Sequence, residues 1–188
     1  MRVERRGFLA TLMGGLLAAP LSASGQPSAK LPLVGSLTSG PNSQGPSVLA
    51  ALKLRLEMFA VKTPADLSGA FKAAVKGRAD AMLVNESSML TAQRAKLAEL
   101  GIQNRLPVIG SLRVSAEAGL VMSYGVDLPH VTQRIATQVD RILKGARPGD
   151  LPFEEPTKFE LVINLKTAKA LGLTIPPSVL GRADEVIE

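Results

Sequence analysis

The sequence predicts an α/β fold in which a parallel β-sheet carries helices on both faces. Three short apolar segments are typical of buried strands: 31–37, 81–84 and 106–111. Amphipathic segments with helical spacing lie between them, one beginning at Thr63 and one following Asp127. Strands separated by such helices form right-handed βαβ units, and these units build a parallel sheet.

In the first half of the chain, the strand at 31–37 is followed by a loop rich in Ser, Gly and Pro. Apolar and charged residues then alternate over 52–58, a period of two that indicates a second strand. Thr63 begins a helix, because Pro64 suits its first turn and Asp66 completes a capping box. A further helix follows the loop 85–88 and runs to residue 100.

In the second half, a strand is predicted at 106–111 and another at 120–123, with a polar stretch between them. Asp127 caps a long helix whose apolar face is formed by Val131, Ile135, Val139 and Ile142. The last predicted strand covers 159–163, and Asn164 caps the helix that follows it.

The first 25 residues have the features of an export signal. Arginines precede an apolar run from Phe8 to Ala19, and small residues at Ala23 and Gly25 fit a signal-peptidase site. The run is shorter than the roughly 20 residues of a membrane-spanning helix. Arg5-Arg6 followed by Phe-Leu resembles a twin-arginine signal. We expect residues 1–25 to be a signal peptide, cleaved near Gly25, and the protein to be periplasmic.

Composition and motifs exclude several classes of function. The chain has 188 residues and no cysteine, which excludes disulfides and cysteine metal sites. Its formal charge of +6 is scattered, without a basic stripe or interleaved aromatics, so we expect no nucleic-acid partner. No glycine-rich phosphate motif follows a strand, and His130 is the only histidine. We therefore predict no cofactor, no metal and no enzymatic activity.

Candidate ligand-binding residues lie at the predicted strand ends, because ligands of open α/β sheets bind beyond the carboxyl ends of the strands. Thr38, Ser39, Asn85 and Ser123 are hydrogen-bonding residues at such ends, and Tyr124 lies where a crevice should open. These groups suit binding better than catalysis, since no nucleophile or general base accompanies them. For each, an ordinary role in a cap or turn is the alternative.

Several stretches in the C-terminal part resemble a known family. They are Met122-Ser123-Tyr124-Gly125, the segment 142–146, the run from Glu155-Pro156-Thr157 to Leu173, Ile175-Pro176 and the closing 182–187. These residues resemble those of the bacterial ABC transporter substrate-binding protein family, and the similarity is nearly continuous from Leu49 to the end.

The resemblance implies a periplasmic-binding-protein fold of type I, in which two α/β lobes close on a small solute and present it to a permease. The solute-binding component of an ABC importer is thus the implied function, with an amino-acid-like small molecule and an inner-membrane permease as partners. Arg113 matches the family's crossover arginine and joins the candidate ligand-binding residues. A shortened descendant that no longer binds solute, or serves as an interaction module, is the alternative, and a periplasmic enzyme on the same fold is a weaker one.

The chain departs from the family in its first lobe. A short loop leads from Gly40 into Val48-Leu49-Ala50, which already resembles the second lobe. We therefore expect a large internal deletion, with residues 26–47 and 120–146 as remnants of the N-terminal lobe. A complete C-terminal lobe should comprise 48–119 and 147–188. The elements of the remnant are the first strand, the strand at 120–123 and the helix at 128–144, and their apolar faces should lack partners.

Overall fold

The computed structural model describes residues 31–39 and 53–188, so the predicted signal peptide and most of the loop before 53 lie outside the described residues. The described part contains a seven-stranded sheet in the order β2-β1-β3-β4-β5-β6-β7. Its strands are β1 (Leu33–Thr38), β2 (Arg55–Ala60), β3 (Ala81–Val84), β4 (Val108–Gly110), β5 (Met122–Val126), β6 (Phe159–Asn164) and β7 (Glu185–Ile187). All neighbouring pairs are parallel except β5 and β6.

The described helices connect these strands. They are α1 (Leu67–Lys76), α2 (Ser88–Ala92), α3 (Arg94–Gln103), α4 (Arg113–Glu117), α5 (Leu128–Leu143), α6 (Leu165–Ala170) and α7 (Pro177–Leu180), with short 3₁₀ turns at Pro64–Asp66 and Pro148–Asp150. The predicted α/β class, a mostly parallel sheet with helices, is confirmed. No helix in this part of the chain is both long and apolar enough to cross a membrane.

The three predicted helix starts are confirmed by their hydrogen bonds. The Thr63 N–H donates to Asp66 Oδ2 at 2.8 Å. Asp127 Oδ1 accepts from the N–H of residue 130 at 3.0 Å, and Asn164 Oδ1 accepts from the Thr167 N–H at 3.0 Å. Each side chain satisfies a donor that the first helical turn leaves unpaired.

Some elements differ from the prediction. The polar stretch after β4 is the helix α4, the helix predicted to reach residue 100 is divided at Gln93 into α2 and α3, and β7 follows the strand that was predicted to be last. The sheet is also not wholly parallel, because the chain leaves β5 at Val126 and returns to β6 directly opposite, at Phe159. A connection that returns to the same end of the sheet makes its two strands antiparallel.

One face of the sheet carries the core. The strand register aligns Leu37, Phe59, Met82 and Val108 with this face, where they are buried in one cluster with Phe71 and other residues of the helices. The opposite face includes Met58, Tyr124 and Phe159, all of them exposed. In the described residues the sheet is therefore better covered on one side than on the other, whereas helices were predicted on both.

The strands assigned to the N-terminal lobe remnant lie in the same sheet as those of the C-terminal lobe. β1 pairs with β2 on one side and β3 on the other, and β5 lies between β4 and β6. Residues 31–188 form one compact unit. The assignment of these segments to two lobes stays a prediction. The strand β1 completes the hydrogen-bonding edges of β2 and β3, and its Leu37 is buried, so its apolar face does not lack partners as was expected. The helix α5, by contrast, has no buried residue.

Candidate functional site

The carboxyl edge of the sheet brings four polar positions into one row. Leu37 is opposite Val84 and Gly110 is opposite Ser123, so the next residues of these strands continue the alignment. Thr38, Asn85, Ser111 and Tyr124 consequently follow one another across β1, β3, β4 and β5. Three of them are predicted site residues, and we call this row the edge row. Tyr124 is not at the end of its strand, because β5 continues to Val126.

The end of β1 and the end of β3 meet at one side of this row. The Asn85 N–H donates to the Leu37 carbonyl oxygen at 2.9 Å, which holds the loop after β3 beside β1. Thr38 is buried, Asn85 is half-buried and Ser39 is exposed. The structure therefore brings Thr38, Ser39 and Asn85 together, as predicted.

At the other side of the row, Tyr124 stacks on Phe159. The ring centroids are 5.9 Å apart and the planes are inclined by 20°. Tyr124 is 57% exposed and Phe159 is 48% exposed, so both rings retain a free surface. An exposed aromatic pair of this kind can extend its stacking to a planar ligand.

Glu86 is a polar residue of this edge that the sequence analysis did not select. Its Oε1 accepts from the Ser115 Oγ–H at 2.8 Å and from the Ser111 N–H at 3.4 Å. Its Oε2 accepts from the Thr91 Oγ–H at 2.9 Å. The carboxylate thus joins the loops after β3 and β4. In the sequence, Glu86 could have been selected because it comes one residue after Asn85, in the loop that follows a buried strand.

Ser123 lies one residue inside the edge row and points into the core. It is 1% exposed, opposite Gly110 on one side and Val162 on the other. Its Oγ has no hydrogen-bond partner among the described residues. This placement separates Ser123 from the exposed surface that Tyr124 presents.

Arg113 lies at the start of α4 and is surrounded by carboxylates. Its Nε donates to Glu160 Oε2 at 3.0 Å, other nitrogens bond Glu160 Oε1 and Glu185, and Glu117 lies 3.8 Å away. Hydrogen bonding to Glu160, and then to Glu185, raises the pKa of Arg113 above its usual range. The guanidinium therefore joins α4, β6 and β7. No group of three or more His, Cys, Asp or Glu in the described residues could hold a metal ion.

A separate groove of about 180 Å³ lies between α5 and the segment 152–156. Its walls include Val131, Ile135, Pro152 and Phe153. The rim carries an ion pair in which Arg134 Nε donates to Glu154 Oε2 at 2.8 Å. This groove is formed by α5 and its own connection to β6, away from the row of predicted site residues.

Comparison with known proteins gives the family. Residues 47–187 match the model of the family described as ABC transporter substrate binding protein. The chain belongs to this family. The match covers the strands β2 to β7, so most of the edge row lies on elements of a substrate-binding protein.

Several known proteins are similar to this chain. A tyrosine-binding protein of Clostridioides difficile is 23% identical over 113 residues, which cover 60% of this chain and 32% of the relative. The ABC domain of Streptococcus pneumoniae, solved in complex with L-Trp, has a TM-score of 0.74 and 24% identity over 85% of this chain and 58% of its own. A conserved domain protein of Vibrio cholerae has a TM-score of 0.73 and 24% identity over 84% of this chain and 55% of its own.

The chain is short beside these relatives. It spans about a third of the tyrosine-binding protein and a little over half of the two solved structures. The likeness to the solved structures supports a periplasmic-binding-protein-like fold, and the shorter length is consistent with the expected loss of much of the first lobe.

Proposed function

We propose that this protein is the solute-binding component of an ABC importer. In this proposal the chain is exported to the periplasm, binds an amino-acid-like solute at the carboxyl edge of the sheet and delivers it to a permease. The family match over residues 47–187 is the observation that carries the proposal. The named relatives, one tyrosine-binding and one solved with L-Trp, support an aromatic amino acid as the solute.

The chemistry of the edge row supports the same solute class. Neighbouring strands are about 4.8 Å apart, so the row from Thr38 to Tyr124 spans about 14 Å. Hydrogen-bonding groups of Thr38, Ser39 and Asn85 lie at one end, and the stacked rings of Tyr124 and Phe159 lie at the other. An aromatic amino acid has a polar end that hydrogen-bonding groups can hold and a planar end that can stack on aromatic rings.

Isothermal titration calorimetry with L-tyrosine, L-tryptophan and L-alanine tests the proposal. We expect binding of the aromatic amino acids and about two- to tenfold weaker binding in Tyr124→Leu, because an aromatic pair contributes about 0.5–1.5 kcal/mol. Tyr124→Phe is the matched control and should bind like the wild type. If a folded protein binds none of the three, the aromatic class is wrong, and failure with a full amino-acid panel contradicts amino-acid binding.

Export and delivery have their own tests. N-terminal sequencing of protein recovered from the periplasm should begin close to residue 26, and an intact Met1 would contradict the signal peptide. Uptake of the labelled solute should fall in cells that lack the protein and return when it is supplied. If the protein binds the solute but does not affect its uptake, solute binding is supported and delivery to an importer is contradicted.

A further inference from the structure

The helix α5 carries an apolar stripe that the described residues leave open. Apolar side chains recur along it at intervals of three and four: Leu128, Val131, Ile135, Val139 and Ile142. Four of these five side chains are exposed, with Ile135 at 57%, and the fifth is half-buried. Phe153, which borders the groove beside the stripe, is 92% exposed. A stripe with this spacing is suited to packing against another helix.

We propose that this stripe and Phe153 form the interface of a homodimer, with α5 of one copy packed antiparallel on α5 of a second. An isologous contact of this kind brings the same residues of both copies together around a two-fold axis. The inference is independent of solute binding, since the stripe lies outside the edge row.

The exposed area fits an interface better than a free surface. The side chains of the stripe and Phe153 together expose roughly 600 Å², at the upper limit of the apolar patches on typical monomers. A standard interface buries about 800 Å² per partner, which polar rim residues around the stripe can complete. A helix of 16 residues is about 24 Å long, long enough for three to four layers of side chains.

The charges beside the stripe favour a second copy over a strongly charged partner. Arg134 is paired with Glu154, and Lys144 is paired with Asp140 at 2.8 Å. These pairs neutralise charge within each chain, so two copies can approach without strong repulsion. An anionic lipid surface requires a cluster of basic residues on the polar face, and α5 carries only two arginines, Arg134 and Arg141, with Asp140 beside them.

Among the described residues, no segment of the chain covers the exposed side chains of the stripe. The two solved relatives contain a large part with no counterpart here, since this chain spans 58% and 55% of their lengths. An apolar face that is not covered within its own chain is stabilised when a complementary apolar face removes it from water. A second copy always provides one.

Sedimentation velocity over a range of protein concentrations is the first test. We expect a monomer–dimer equilibrium in the full chain and at least a hundredfold weaker dimer in Ile135→Glu, because two-fold symmetry introduces the charge twice. Val75→Glu is the matched control, since Val75 is an apolar helix residue of α1 with 44% exposure. It should dimerise like the wild type, and circular dichroism should show that both variants are folded.

Disulfide cross-linking then locates the contact. The chain has no cysteine, so a single introduced thiol can form a disulfide only with the same position of another copy. We expect Ile135→Cys or Gln138→Cys, near the middle of the stripe, to give a cross-linked dimer, and Val75→Cys to give none. A wild type that is monomeric at every concentration would overturn the proposal. Equal dissociation by Val75→Glu, or open-ended aggregation in place of a dimer, would overturn it too.

Discussion

Gly125 of β5 lies against the carbonyl group of Ser111, so close that a Cβ on Gly125 would be 1.9 Å from the Ser111 oxygen. No side chain fits into that space, and the obstacle is backbone, which cannot rotate away as the tip of a side chain can. The approach joins the end of β5 to the loop between β4 and α4. It therefore positions two members of the edge row, Ser111 and Tyr124.

Gly125→Ala should destabilise the protein by about 1–3 kcal/mol, because the added methyl group forces β5 and the β4–α4 loop apart. Urea unfolding measures the loss. Gly149→Ala is the control, since a Cβ at Gly149 meets nothing within 4 Å. Equal stability of the two variants would show that the loop adjusts freely.

Arg113→Ala should reduce the free energy of unfolding by about 1–2 kcal/mol. It removes charged hydrogen bonds to Glu160 and Glu185, and their partial exposure reduces what each contributes. The control is Arg94→Ala, which removes one exposed hydrogen bond to a backbone oxygen. If Arg113→Ala weakens solute binding without changing stability, Arg113 contacts the solute, as the family resemblance implies.

Asn164→Ala should destabilise the protein by about 2–4 kcal/mol. The change removes the cap of α6 and also leaves the Ala116 carbonyl oxygen without the Asn164 Nδ2–H, which donates to it at 2.9 Å in a buried position. Asn164→Asp keeps the cap oxygen but places a charged oxygen against the Ala116 carbonyl oxygen in a buried position, so this variant should also be less stable than the wild type at neutral pH. An aspartate variant as stable as the wild type would contradict the role of the Nδ2–H.

The start of α5 should be sensitive to acid. The hydrogen bond from Lys158 to Asp127, together with the bond from the residue 130 N–H, lowers the pKa of Asp127 below its usual value. A carboxyl with a lowered pKa adds stability that is fully present above its unfolded pKa, near 4, and is lost as the pH falls through the folded pKa. Asp127→Asn should therefore be less stable than the wild type at pH 7.

The same measurement at low pH provides the check on Asp127. The difference in unfolding free energy between wild type and Asp127→Asn should narrow as the pH is lowered from 5 and vanish below the folded pKa. In Lys158→Ala, the unfolding free energy should change less with pH over the same range than it does in the wild type. A constant difference from pH 7 to pH 3 would exclude the carboxylate as its source.

Local patterns in the sequence were enough to predict the elements with strong signals. The helix starts after Thr63, Asp127 and Asn164 are local features. The Asp66 side chain accepts from the Thr63 N–H, and the side chains of Asp127 and Asn164 each accept from a backbone N–H three residues further on. The apolar stripe of α5 is likewise visible in the spacing of its residues. Polar residues at strand ends likewise indicated Thr38 and Asn85. The structure adds that these two are neighbours.

The missing parts depend on contacts between distant residues. The strand β7 has three residues, too few for a period to be seen, and it forms because β6 offers an open edge. The partners of Arg113 are 47 and 72 residues further along the chain, and Glu86 reaches Ser115 across 29 residues. The inward direction of Ser123 also follows from pairing with β4, which a single strand does not reveal.

The pairing of Val126 with Phe159 has a consequence for how the chain can be altered. The 32 residues between them begin and end at paired residues of neighbouring strands, so they form an insertion between the two strands of an antiparallel pair. A tight hairpin turn could in principle replace that insertion and keep β5 and β6 in register. The length and sequence of this segment can therefore change in evolution while the strands stay in place. The sheet can be conserved even where the surface of α5 is not.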